Sequence, residues 1–288
     1  MSDVVAAGRV TWAPARRPAA LYLLAGALAI GGYYLLSGDA QAIWYEVIGA
    51  SAVIAMWAGV RGRAGSDRLA WQLFAIGTLG EVAGDIASTY YQVARDTEAP
   101  LPSIADVFYL AGYLPLVAGA YLMVRRRLGG RLGRATLLDG LIVVAAVGMV
   151  QWVFAIDQLV HEQLGTSAKA VSIAYPLADV LLMVAFLQLL LAPSGSLRRL
   201  GLLLAAVVLW VVADEFFLAD AGAYGSWLDS LWLGSYVVWG AAALLTAPEP
   251  VAEDPDAVPR VGASRLVLLA GALLCAPATL AVERFEHD

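Results

Sequence analysis

The sequence predicts an all-α fold, a polytopic bundle of transmembrane helices built from repeated helical hairpins. Three observations indicate this. Of the 288 residues, 61% are hydrophobic and only 15% are charged. The apolar residues form long runs, and arginines gather in the short segments between them. A soluble domain carries more charge, whereas apolar runs of about 18 or more residues are typical of membrane helices. We therefore expect the lipid bilayer to be the principal partner.

The apolar runs are each long enough to cross a hydrocarbon core of about 30 Å as a helix. Membrane strands would show about ten residues of alternating polarity, but these runs are longer and apolar on all sides. We predict about nine spans, over residues 19–36, 42–60, 69–91, 104–124, 136–156, 171–192, 200–219, 227–246 and 264–282. The remaining parts are an N-terminal segment (1–18), an acidic, proline-rich linker (247–263) and a tail (283–288).

Arginine placement predicts the orientation. Arginines lie before the first span and after the second, fourth and sixth, which puts them all on one side if every span crosses once. Basic loops favour the cytoplasm. We therefore expect a multi-pass protein of the inner (plasma) membrane with its N-terminus and linker in the cytoplasm. The alternation with spans favours this interpretation over nucleic-acid binding, so no nucleic-acid partner is predicted.

A weak repeat places an aspartate near the outer end of three inward-running helices. Pro102-Ser-Ile-Ala-Asp106, Tyr175-Pro-Leu-Ala-Asp179 and Ser226-Trp-Leu-Asp229 carry it. The pattern predicts three diverged helical hairpins, formed by spans 3–4, 5–6 and 7–8.

Carboxylates inside the spans are the candidate functional groups, because each costs several kcal/mol at bilayer depth and tends to face the bundle interior. The candidate ligand or polar-network residues are Glu81, Asp85, Asp106, Tyr109, Asp179, Asp214 and Asp229. We expect an outward-facing pocket for a cation, a protonatable ligand or a small signal molecule, walled by Tyr90, Tyr91, Tyr109, Tyr113, Trp227, Trp232 and Tyr236. A structural alternative stays open, in which Asp106 and Asp229 cap helix starts and Asp179 accepts hydrogen bonds from hydroxyls.

Other chemistry is disfavoured. The single lysine, Lys169, lies in a loop, which argues against a retinal Schiff base, and the single cysteine, Cys275, excludes an internal disulfide and a thiolate metal cluster. No nucleophile elbow, phosphate loop, dinucleotide fingerprint or paired-histidine motif occurs. We therefore predict no catalytic residue, cofactor or metal site.

The stretches Pro102–Tyr113, Leu137–Gly140, Ala174–Val180 and Asp229–Tyr236 resemble the multi-helix N-terminal membrane region of actinobacterial cyclic-di-GMP signalling proteins. In that family the region precedes GGDEF cyclase domains, often with an EAL phosphodiesterase domain. Neither signature occurs here, and Ala213-Asp-Glu-Phe216 lacks the two glycines of the cyclase motif. The resemblance therefore implies a sensory or anchoring module without its catalytic output.

Three functions remain open. The first is a sensory or anchoring module that relays an external or membrane-borne cue to a cytoplasmic output, with a homodimer possible. The second is a transporter or ion channel, which repeated hairpins with intramembrane acids also fit, although obvious mid-helix Gly/Pro breaks are lacking and the acids lie near one face. The third is a lipid-modifying enzyme using Glu81 and Asp85, which lacks a histidine or nucleophile within the spans.

Overall fold

The structure, a computed structural model, describes residues 16–128, 134–191, 197–220 and 225–245. Every regular element in these ranges is helical. Nine α-helices and one π-helical segment, Trp152–Ile156, follow one another there. The helices are α1 (Arg16–Tyr33), α2 (Gly38–Val60), α3 (Gly65–Arg95), α4 (Ile104–Arg127), α5 (Arg134–Gln151), α6 (Asp157–His161), α7 (Thr166–Leu191), α8 (Leu197–Asp220) and α9 (Asp229–Leu244). The all-α prediction is confirmed.

Four of the described helices are long and apolar enough to cross a membrane, rather than the nine predicted. They are α2, α4, α7 and α8. The others fall short for physical reasons: α1 begins at two arginines, α3 carries several charges, α5 ends at the π-helical segment, and α9 has 16 residues. The predicted linker (247–263), ninth span (264–282) and tail lie outside the described residues, as does most of the N-terminal segment.

Six helices form a closed ring. In order around the ring, α2, α3, α4, α7, α8 and α9 each pack on the next, and α9 packs on α2. Helix α1 lies against α9 and α2, and α5 lies against α7. The pairs α3/α4, α5/α7 and α8/α9, which correspond to the three predicted hairpins, are all in contact. The ring encloses an interior whose middle is apolar. The two ends of this interior carry different polar side chains.

Aromatic side chains fill that middle. Phe74, Phe186 and Trp239 are fully buried and come from α3, α7 and α9. Their ring centroids lie 5.2 to 5.5 Å apart. Conversely, large apolar side chains such as Leu28 and Leu114 are about 70% exposed on the outer surface (69% and 71%). Apolar residues outside as well as inside are expected where hydrocarbon, not water, surrounds the bundle.

Small residues allow α3 and α4 to approach closely, as the spacing Gly77, Gly80, Gly84 predicts. A Cβ on Gly80 would lie 3.0 Å from Gly112 Cα, and one on Gly84 would lie 2.5 Å from the ring of Tyr109. Only glycine leaves room for this contact, which brings the polar side chains of the two helices together.

Two helices contain a proline in their interior, contrary to the expectation that mid-helix breaks are lacking. Pro115 lies inside α4 and Pro176 inside α7, and both helices continue past them. A proline removes one backbone hydrogen bond and commonly bends a helix. Each proline lies within three residues of a polar side chain of the interior, Tyr113 and Asp179 respectively.

Candidate functional site

Acidic and aromatic side chains meet at one end of the ring, where α2, α4, α7 and α9 begin and α1, α3 and α8 end. Hydrogen bonds between helices fix this arrangement. We call the group the acid–tyrosine cluster. It comprises Glu46, Glu81, Asp85, Asp106, Asp179, Asp214 and Asp229, with Tyr33, Tyr109, Tyr113, Tyr175, Tyr236, Thr89 and Trp232 as donors. All seven residues predicted from the sequence belong to it.

Asp85 accepts two tyrosine hydroxyls, one on each carboxylate oxygen. Tyr109 Oη donates to Oδ1 at 2.8 Å, and Tyr236 Oη donates to Oδ2 at 2.5 Å. These bonds join α3, α4 and α9. Two hydroxyl donors stabilise an ionised carboxylate. Both oxygens of Asp85 therefore have a donor that would stabilise a negative charge.

Tyr113 bridges two further aspartates. Its hydroxyl lies 2.7 Å from Asp179 Oδ1 and 3.2 Å from Asp214 Oδ2, and it joins α4 to α7 and α8. The indole of Trp232 donates to Asp214 Oδ1 at 2.8 Å. A hydroxyl has one proton, so Tyr113 donates to one of the two carboxylates at a time. Asp179 and Asp214 thus share a single donor.

Glu81 is buried and has the fewest hydrogen-bond partners in the cluster. Its side chain is 1% exposed. Its Oε1 atom rests against Gly112, where any larger residue would collide with it, and no described donor reaches that oxygen. Asp179 is also 1% exposed, and no described donor reaches its Oδ2 atom. Buried polar atoms are usually hydrogen-bonded, so these two oxygens are exceptional, as is Glu46 Oε2, which also lacks a donor.

Asp106 and Asp229 have the helix-start geometry of the structural alternative. Asp106 Oδ2 accepts the backbone N–H of Ser103 at 2.5 Å while the Ser103 side chain accepts the N–H of Ala105, a capping box. Asp229 accepts the backbone N–H of Gly225 at 2.7 Å. In addition, each accepts a tyrosine hydroxyl.

Those two hydroxyls come from tyrosines that the sequence interpretation did not select. Tyr175 Oη donates to Asp106 at 2.7 Å, and Tyr33 donates to Asp229. The two aspartates therefore begin their helices and also tie them to the rest of the cluster.

Some of the predicted pocket walls are wrong and some members were missed. Trp227 is 60% exposed and Tyr90 is 51% exposed, so neither lines the interior. Tyr90 instead accepts a hydrogen bond from Arg95, which raises the pKa of that guanidinium. Glu46 was missed, although a carboxylate within span 2 met the criterion used for the others. It accepts the Thr89 hydroxyl at 2.7 Å.

Arginines gather at the opposite end of the ring. Arg63 and Arg126 both approach Asp67, at 3.4 and 3.7 Å. Arg63 and Arg199 both donate to the carbonyl of Leu245, where α9 ends. The arginine-bearing turns after the second, fourth and sixth predicted spans thus share one end of the bundle.

Two of these arginines are buried, which positive-inside anchoring alone does not require. Arg127 and Arg199 are each 1% exposed. Arg127 donates to the carbonyl of Leu189 at 3.0 Å, in the last turn of α7. Helix C-termini carry unpaired carbonyls and partial negative charge. Arg127 and Arg199 therefore bind the carbonyl groups at the C-terminal ends of α7 and α9.

Within the described residues, no group of three or more His, Cys, Asp or Glu side chains has a geometry that could hold a metal ion. No family model, curated protein or solved structure matches the chain significantly.

Proposed function

We propose that this chain is an integral-membrane sensory and anchoring module of a bacterial signalling protein. An external or membrane-borne cue acts at the acid–tyrosine cluster, and the response passes to a cytoplasmic output. In this proposal α1, α3, α5 and α9 cross the bilayer together with the four apolar helices. The arginine end faces the cytoplasm, and the chain itself catalyses no reaction.

The observation that carries the proposal is the way tyrosine hydroxyls join helices through carboxylates. Asp85, Asp179 and Asp214 accept hydrogen bonds from α4 and α9. Within the described residues, the ion pairs lie elsewhere, around Asp67 and Asp157. Adding or removing a positive charge at the cluster would therefore change the bonds that hold the ring together. A site with this property suits a sensor.

Helix α9 connects the two ends. Near its start, Trp232 and Tyr236 donate to Asp214 and Asp85. At its end, the carbonyl of Leu245 receives Arg63 and Arg199. A packed helix moves largely as a unit. A shift at the cluster would therefore reach residue 245, beyond which the chain continues into the predicted linker.

The output is proposed from the resemblance to membrane regions of cyclic-di-GMP signalling proteins. In that class a cyclase or phosphodiesterase domain supplies the output. Here it would be supplied by a fused domain or a separate partner, and pairing of two copies of the chain would be one way to couple helix motion to it.

The test follows both ends of the purified full chain in lipid nanodiscs. Thermal stability and hydrogen–deuterium exchange are measured across pH and with sodium, calcium or tetramethylammonium chloride. We expect at least one condition to shift stability and to change exchange at residues 60–65 and 240–245 together. Asp214→Asn should abolish the response, and Asp39→Asn, an exposed acid, should preserve it. Responses confined to the acid end, or equal in both variants, would contradict the proposal.

A transporter is the second candidate, and Pro115 and Pro176 favour it. Irregular helices beside intramembrane acids are common at transporter substrate sites. The aromatic middle of Phe74, Phe186 and Trp239 argues against a path between the two ends. Proteoliposomes loaded with a pH dye separate the alternatives, since net proton or cation movement through wild-type protein would support transport over sensing.

A further inference from the structure

The interior of the cluster holds acids with no basic side chain beside them in the described part of the chain. Around Glu81 and Asp179, the titratable groups contributed by each packed helix are carboxyls or phenols. They are Glu46 from α2, Asp85 from α3, Tyr109 and Tyr113 from α4, Tyr175 from α7, Asp214 and Glu215 from α8, and Tyr236 from α9.

Basic groups at this end point elsewhere. Arg95 donates to Tyr90, Lys169 donates to the carbonyl of Val160, and His161 contacts Asp157. Arg95 and His161 are exposed and Lys169 is partly exposed. A charged carboxylate in the interior without a cation is energetically costly, and neighbouring negative charges add to that cost. The least costly arrangement keeps some of these acids neutral, with a proton bound.

The hydrogen bonds indicate which acids hold the protons. Asp85 has a hydroxyl on each oxygen, and Asp214 has the Trp232 indole and a share of Tyr113. In contrast, Glu81 Oε1 and Asp179 Oδ2 are buried and reached by no donor. Glu46 Oε2 also lacks a donor, but Glu46 is partly exposed, whereas Glu81 and Asp179 are each 1% exposed. An oxygen without a donor is poorly suited to a negative charge and well suited to a proton.

The geometry also provides a route. Asp214 is partly exposed, whereas Asp179 is 1% exposed, and the Tyr113 hydroxyl lies between them at 3.2 and 2.7 Å. A proton arriving on Asp214 Oδ2 can pass to Tyr113 Oη while the original hydroxyl proton passes to Asp179 Oδ1. The tyrosine ends neutral, Asp214 returns to a carboxylate, and Asp179 becomes a carboxylic acid.

We propose that Glu81 and Asp179 form a proton-binding site loaded through Asp214 and Tyr113, so that the ligand of the acid–tyrosine cluster is the proton. This inference rests on the proposed sensory role of the cluster. The aromatic middle below it closes the path towards the arginine end, so protons enter and leave from the acid end only.

The test is infrared difference spectroscopy of the full chain in nanodiscs after a jump from about pH 8 to about pH 5, a range that reports carboxyl groups with altered proton affinity. The wild type should gain carboxylic-acid carbonyl bands. Glu81→Gln and Asp179→Asn should each remove one of these bands. The control variants Glu98→Gln and Asp39→Asn, at exposed acids, should leave both bands in place. Two independent variants keep the test decisive if one of them folds poorly.

Kinetics test the route. Tyr113→Phe should slow the appearance of the Asp179 band by about tenfold or more, because one positioned proton carrier is lost. Tyr90→Phe, at a half-exposed tyrosine outside the cluster, should leave the rate unchanged. Bands that persist in both acid variants, or a wild-type rate in Tyr113→Phe, would overturn the inference. So would loss of the bands on adding sodium at constant pH, which would indicate a sodium site. If the carboxylic-acid bands appear but hydrogen–deuterium exchange at the arginine end does not change, the sensory relay is refuted. The proton-binding site then still stands.

Discussion

A substitution at Gly112 in α4 tests how closely α3 and α4 pack and where the Glu81 side chain lies. A Cβ added there would lie 2.9 Å from the carbonyl oxygen of Gly77 and 3.1 Å from Glu81 Cδ, and closer still to Glu81 Oε1. The side chain of Glu81 is buried, and the Gly77 carbonyl belongs to the helix backbone, so neither yields without a shift of α3. Overpacking of this kind costs about 1–3 kcal/mol, and contact with backbone favours the upper figure.

Alanine also gains about 1 kcal/mol over glycine inside a helix. We therefore expect Gly112→Ala to lower the free energy of unfolding by about 2 kcal/mol. Gly148→Ala in α5 is the matched control, because no atom lies within 4 Å of its added Cβ. It should be neutral or stabilising by up to about 1 kcal/mol. The measurement is reversible unfolding in mixed micelles of rising dodecyl sulfate content, followed by circular dichroism. Equal stabilities of the two variants would refute the placement of Glu81 on Gly112.

Two further predictions use the same unfolding assay. Ser103→Ala removes the side-chain cap of α4 and should cost about 1 kcal/mol, whereas Ser37→Ala should cost little because the Ser37 side chain makes no capping bond. Equal losses would mean that the capping box does not form. Arg127→Gln removes a buried charged donor from the carbonyl of Leu189 and should cost about 2 kcal/mol. Arg125→Gln, at an exposed site, should change stability by less than about 0.5 kcal/mol, and a comparable loss there would show that Arg127 serves only as surface charge.

The helices were predictable because apolar runs and arginine-rich turns mark where each one begins and ends. The span from 136 to 156 shows where this reasoning stops. The chain passes from α5 through a π-helical segment into α6 and stays helical to His161. The π-helical segment contacts α7 and α8, and a uniformly apolar run does not record such contacts.

The position of a carboxylate within a span predicts that it belongs to the candidate site. It does not predict which tyrosine donates to which acid. A carboxylate in a span faces inward because lipid excludes it, and that rule would also have selected Glu46. Which tyrosine meets which acid depends on the rotation of each helix. In helices that are apolar on every side, the sequence gives no preferred inward face. Tyr109 and Tyr90 are both expected in the pocket wall, yet Tyr109 donates to Asp85 and Tyr90 is half exposed.

The arginines show a similar limit. Their positions predicted a common side, and they do share one end of the bundle. That Arg127 and Arg199 are buried against helix C-termini follows from where α7 and α9 end in space. That information is absent from local charge patterns.

The central claim is that the bundle crosses the membrane with the arginine end in the cytoplasm and the acid–tyrosine cluster outside. Single cysteines at Glu98, between α3 and α4, and at Arg61, between α2 and α3, test it in a Cys275→Ser background. Both positions are exposed and lie in turns at opposite ends of α3. In intact cells, a membrane-impermeant maleimide should label Glu98→Cys at once and Arg61→Cys only after lysis. Labelling of Arg61→Cys in intact cells, or equal labelling of both, would contradict the account.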